Sequence, residues 1–128
     1  MPFKFEQLIV WRLALELSER VHELTRHFPV EERFILTSQM KRAADSVSLN
    51  IAEGSTGQSN EEFRRFLGYA IRSGIEVVGC LYLAITRKYI GEAIFKVHYE
   101  FLDSLIRRIQ ALRNSLIKKA GGLSSAGR

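Results

Sequence analysis

The sequence predicts an all-α protein, an antiparallel up-down-up-down four-helix bundle, from three observations. Apolar residues recur at steps of three and four through most of the 128 residues, the period of a helix face, and no alternating strand pattern competes with it. The two prolines, Pro2 and Pro29, leave long stretches without a helix breaker. Turn-forming segments then divide the chain into four amphipathic stretches, and short connections favour antiparallel neighbours. A chain that is 46% hydrophobic and 26% charged suits one domain around one core. Residues 1–120 are expected to form the bundle, with helices over about 4–28, 31–53, 60–89 and 92–119. The tail, 121–128, has too few apolar groups to offset ordering entropy and is expected to be disordered.

The first stretch places Val10, Ala14, Leu17, Val21, Leu24 and Phe28 on one stripe, which Pro29 ends by excluding its predecessor from helical geometry. Glu31 and Glu32 then set negative charge at the positive end of the second helix, and a tight helical hairpin is expected. The second helix turns Leu36, Met40, Ala43, Val47 and Ile51 inward, and Gly54 is its expected C-terminal cap. Beside that slim face runs a polar line, Gln39, Arg42, Ser46, Asn50 and Glu53. Ser59 and Glu62 form a capping box for the third helix. That helix carries two seams. One is Phe63, Leu67, Ala70, Gly74, Val77, Leu81 and Ala84; the other is Ile71, Ile75, Val78, Tyr82, Ile85 and Tyr89. Two seams about 100° apart need two neighbours, so this helix is either the most central element or also faces another subunit. After a break at Gly91, Phe95, His98, Leu102, Leu105, Ile109, Leu112 and Leu116 mark a heptad-like fourth helix.

Composition excludes several function classes. One cysteine, Cys80, permits no internal disulfide, so a reducing compartment and a cytoplasmic location are expected. The start, Met1-Pro2-Phe3-Lys4, lacks the order of a signal peptide. The longest strongly apolar run, Val77 to Ile85, falls short of the roughly 20 residues of a membrane-crossing helix, so no membrane partner is expected. His22, His27 and His98 fall in no metal-ligand spacing, Cys80 sits among Val77, Val78, Leu81 and Leu83 as an inert thiol, and His98 reads as a core or edge histidine. The glycines of 54–59 precede a helix but lack the Lys-Ser/Thr of a phosphate loop. No catalytic residue, metal or cofactor is therefore assigned, and the chain is not expected to be an enzyme. The polar line reads as a network that fixes the register of helices or subunits, or as a solvated binding face.

The net charge of +5 is a local feature. All 14 acidic residues lie at or before Asp103, whereas Arg107, Arg108, Arg113, Lys118, Lys119 and Arg128 follow it. Arg107 and Lys118, like Arg108 and Lys119, are separated by about three helical turns and share an azimuth. Such stripes suit phosphate contact, although basic residues also complement the negative end of a helix dipole. Arg87 and Lys88 add charge at the end of the third helix.

Leu8-Ile-Val-Trp11 with Ala14 and Leu17, Leu24-Thr25, Phe28-Pro29 with Glu32, and Gln39-x-x-Arg42-Ala-Ala through Ser46 to Asn50-Ile-Ala-Glu-Gly54 form a specific pattern. Ser59, Glu62-Phe63, Phe66-Leu67, Ala70, Ser73 and Glu76 continue it. The chain thereby resembles the bacterial four-helix-bundle proteins encoded in intervening sequences of large-subunit (23S) ribosomal RNA genes, over about 5–90. The resemblance implies a ring, typically a homopentamer, and a link to ribosomal RNA inferred from genomic location alone. It also relates the chain to the accessory protein of diversity-generating retroelements, which partners a reverse transcriptase and binds nucleic acid. Two departures from the family pattern stand out: Arg72 replaces a small residue, and Arg87-Lys88 replaces a Leu-Gly pair. The expectation is a non-enzymatic ring-forming protein binding RNA or DNA through Arg107, Arg108, Arg113, Lys118, Lys119, Arg87 and Lys88, with a nucleic-acid enzyme as a candidate protein partner. The alternative is an oligomeric protein-only scaffold or adaptor.

Overall fold

The computed structural model describes the backbone of residues 2–124 and the side chains of residues 2–117. Four helices account for nearly all of it: α1 Ile9–Thr25, α2 Leu36–Ser55, α3 Asn60–Thr86 and α4 Glu92–Ser124. Each packs against the next, α1 closes against α4 over a smaller surface, and among the described residues the diagonal pairs do not meet. This is the neighbour pattern of an up-down-up-down bundle. Every residue of the stripe from Val10 to Phe28 is buried, as are Leu36, Met40, Ala43, Val47 and Ile51, the whole first seam of α3, and Leu102, Leu105, Ile109 and Leu116 of α4. Apolar burial along four helical stripes supplies the driving force for this core.

The helix boundaries differ from the sequence expectation at several ends. The chain opens with a 3-10 turn, Lys4–Gln7, and α1 starts only at Ile9. Phe5 packs edge-on against Trp11 at 4.8 Å, anchoring that turn. The first helix ends at Thr25, ahead of Pro29, where Thr25 Oγ1 donates to the Val21 carbonyl at 2.8 Å. The hairpin is not tight: a second 3-10 turn, Val30–Glu32, delays α2 to Leu36. Glu32 nonetheless serves the positive end of α2, accepting from the Leu36 amide at 3.3 Å.

Gly54 is not a cap. It lies buried inside the last turn of α2, where an added Cβ would stand 2.5 Å from Phe66 Cβ, so its missing side chain lets α2 and α3 approach. Ser59 Oγ accepts from the Glu62 amide at 3.1 Å as expected, but Glu62 reaches back to the Gln58 amide rather than to Ser59. At the far end α3 stops at Thr86, before Gly91, in a Schellman motif: the Tyr89 amide donates to the Ala84 carbonyl at 2.9 Å and that of Lys88 to Ile85 at 3.0 Å. Lys88 carries the left-handed φ of 64° that this motif requires. The fourth helix extends to Ser124, past the expected end at 119 and into the segment expected to be disordered; residues 125–128 of that segment lie outside the described residues.

By length and composition α3 is the one described helix that meets the requirement for crossing a membrane. It packs between α2 and α4.

Candidate functional site

The polar line of α2 lies against α3. Ser73 Oγ donates to Ser46 Oγ at 2.9 Å, Asn50 Nδ2 donates to Ser46 Oγ at 2.9 Å and to the Ser46 carbonyl at 2.8 Å, and Gln39 Nε2 donates to Glu76 Oε2 at 3.2 Å. Two of the five, Ser46 and Gln39, thus tie α2 to α3 through half-buried or surface hydrogen bonds, each worth on the order of 1 kcal/mol net, while Asn50 braces Ser46 from within α2. Arg42 and Glu53 stay exposed outside this network. Arg42 lines a groove of about 370 Å³ with Phe34, Ile35, Ser38, Gln39 and Glu76.

The basic residues do not converge on one surface. Arg107 and Arg108 are exposed neighbours in sequence, so they leave α4 about 100° apart. Arg107 is paired with Asp103 at 3.1 Å, which offsets its charge. The side chains of Lys118, Lys119 and Arg128 lie outside the described residues. Arg87 and Lys88 sit at the opposite end of the bundle, beside the start of α4. The 21 residues from Glu92 to Arg113 are about 31 Å of helix. Arg87 is bonded to Glu32 at 3.1 Å, and Tyr89 Oη donates to the same carboxylate at 2.7 Å. The Tyr89 hydrogen bond, chiefly, holds the Glu32 carboxyl below its ordinary pKa, and the same contact raises that of Tyr89. This end is a structural clasp between the α1–α2 connection and the end of α3.

Arg113 differs from the other basic residues of α4. It is half-buried and turned onto α3, where its Nε donates to the Arg64 carbonyl at 3.0 Å. It lies over Gly68, where a Cβ would stand in ordinary contact, 3.6 Å from Arg113 Nε. Around it open two adjoining grooves. One, of about 530 Å³, is lined by Ser59, Glu61, Glu62, Arg64, Arg65 and Arg113. The other, of about 360 Å³, is lined by Arg65, Gly68, Tyr69, Ile71, Arg72, Gln110 and Arg113. Among the described residues Arg64, Arg72 and Arg113 have no carboxylate within ion-pair distance, and Arg65 has Glu62 at 3.8 Å. Arg64, Arg65, Tyr69 and Gln110 escape sequence reading because Arg64-Arg65 follows Glu61-Glu62 and the charges cancel in a local count. From the sequence, Arg113 and the unusual Arg72 pointed to this surface.

Cys80 is buried and its thiol is pushed up to about 11, by burial first and by Glu76 second, so it stays protonated. His98 is half-buried on the α1–α4 seam, where burial, and then Arg20, lower its pKa. Among the described residues no three His, Cys, Asp or Glu side chains gather as a metal site would require.

On the outer side of α3, the second seam is only partly covered. Ile71, Val78 and Tyr89 pack against the core, but Ile75 is 56% and Tyr82 52% exposed. Leu83 beside them is also exposed, and a Cβ at Gly79 would meet nothing within 4 Å. At the start of α2, Phe34 is 84% exposed and Ile35 64%.

The sequence model of a family described as 23S rRNA-intervening sequence protein matches residues 6–111. Among solved structures, a protein of unknown function from the S23 ribosomal protein family of Bacteroides thetaiotaomicron superposes with a TM-score of 0.76 at 23% identity, covering 82% of this chain and 98% of the other. That likeness is one of fold. No curated protein matches the chain.

Proposed function

The chain belongs to the 23S rRNA-intervening sequence protein family, and from that premise we propose that it is a non-enzymatic bundle that assembles with its own copies and binds RNA or DNA through basic surfaces. The observation that carries the proposal is the acid-free second half of α4, where Arg108 and Arg113 stand without a carboxylate partner among the described residues. A surface of this kind attracts polyanions through summed field and counterion release. The non-enzymatic part rests on the shifted groups: Glu32 and Tyr89 are committed to each other, while burial leads the shifts of Cys80 and His98. None sits in a groove as a poised acid or base.

Self-association follows from the exposed apolar side chains of α3, Ile75 and Leu83, and the resemblance makes a homopentameric ring the assembly to test. Five copies would carry roughly +25, enough to hold a nucleic acid at low salt. The same apolar face favours a second reading, a scaffold that binds protein alone. Light scattering of the purified protein, alone and with a short RNA single strand or duplex, separates them. The proposal expects an oligomer whose mass rises with RNA at low salt and falls back at high salt. An oligomer that ignores nucleic acid at low salt selects the scaffold, and a monomer refutes the assembly.

A further inference from the structure

We propose that the groove between α3 and α4 is a single-stranded nucleic-acid site, in which Arg72 and Arg113 hold phosphates and Tyr69 stacks an unpaired base. The inference rests on the nucleic-acid reading above and assigns it a place and a form of ligand. The lining of this groove supplies three guanidiniums, from Arg65, Arg72 and Arg113, and no carboxylate. Like charges gathered at one place repel in the folded chain, and a bound polyanion relieves that repulsion. The larger neighbouring groove is the poorer place for a phosphate, since Glu61 and Glu62 line it.

The side chains are also arranged rather than merely charged. The bond from Arg113 Nε to the Arg64 carbonyl fixes that guanidinium over Gly68, so part of the ordering cost of a phosphate contact is met before binding. Tyr69 is 40% exposed and braced edge-on against Phe66 at 5.4 Å between ring centres. A braced aromatic ring beside cations is the combination that single strands use, with bases stacking while arginines track the backbone. Gln110 adds an amide whose Nε2 is committed to Asn114 at 2.9 Å, leaving its oxygen to accept from a base edge. A duplex keeps its bases inside its own stack and cannot use Tyr69, so the groove distinguishes single strands from double.

Fluorescence anisotropy with labelled oligouridine, oligothymidine and an RNA duplex tests the proposal on the full chain. Arg72→Gln, at an exposed position, should weaken both single strands and reduce the slope of log affinity against log salt by about 0.7, one phosphate contact's share. Tyr69→Leu should weaken single strands about fivefold or more and leave the duplex unchanged, while Tyr69→Phe should keep wild-type affinity. Circular dichroism and melting confirm that each variant is folded. Wild-type protein that binds the single strands, with neither Arg72→Gln nor Tyr69→Leu altering affinity or slope, overturns the groove and leaves the broader reading intact. Equal losses on duplex and single strand in Tyr69→Leu overturn the stacking. No binding of any probe by the wild type at low salt overturns the broader reading itself.

Discussion

Two residues stand where the chain's local preference and its fold disagree. Lys88 holds a left-handed φ of 64° at the position after α3 where glycine is normally found. A side chain there costs about 1 kcal/mol, so Lys88→Gly should raise the unfolding free energy by about that amount, read as a shifted urea midpoint at constant slope. An unchanged midpoint would mean that the backbone relaxes away from this geometry. Gly54 poses the opposite case. Alanine would improve helix propensity by about 1 kcal/mol. Yet its Cβ would overlap Phe66 Cβ, an atom next to the α3 backbone that cannot swing aside. Overpacking of this kind costs about 1–3 kcal/mol, so Gly54→Ala should leave the protein no more stable and up to about 2 kcal/mol less stable. A clear rise in melting temperature would show that α2 and α3 separate easily.

At the scale of elements, the four apolar stripes were legible because periodicity reports which face a helix buries, whatever its partner. Helix ends were not, because their signals come from elsewhere in the chain. Glu32 reads as an N-terminal charge for α2, but its carboxylate is also held by Tyr89 and Arg87, more than fifty residues away. No local pattern carries that pairing. The site divides in the same way: Arg113 is visible as one of the basic residues of α4, while Arg64, Arg65 and Arg72 meet it only because α3 and α4 pack at Gly68 and Gly74. The clasp makes a pH prediction. The folded state holds Glu32 below its ordinary pKa, so the unfolded state binds more protons in the acid range. The stability that the clasp contributes is present above the ordinary glutamate pKa and is lost as pH falls through the lowered one. Glu32→Gln should therefore be less stable than wild type at neutral pH and approach it in acid, measured by denaturant titration across pH. A gap of constant size would show that the carboxylate's charge plays no part. His98 acts in the same direction: its folded pKa is lowered, so stability falls as pH drops through its ordinary range near 6.5.

For the whole molecule, the decisive contrast is between two stretches along one outer face of α3. The stretch near its start, beside α4, is cationic and concave at Arg65, Arg72 and Arg113; one to three turns further along the same face, Ile75, Gly79 and Leu83 are exposed, while Tyr82 packs edge-on against Phe95 of α4 at 4.9 Å. A lone chain has no structural use for the exposed apolar stretch, because the core is complete without it. A neighbouring copy that buries it would remove that surface from water at about 25 cal/mol per Å². Gly79, with open space where a Cβ would stand, allows a helix to approach closely there. Replacing Ile75 and Leu83 together with lysine should therefore abolish self-association in sedimentation or light scattering. Both are exposed, so melting of the dissociated variant should still report a cooperatively folded bundle. Persistence of the oligomer in that variant would move the contact to the groove of Phe34, Ile35 and Arg42, where Arg42→Ala should then shift the assembly. Loss of the oligomer with nucleic-acid affinity reduced only by lost multivalency would show that the two stretches act separately, one assembling copies and the other holding the polyanion.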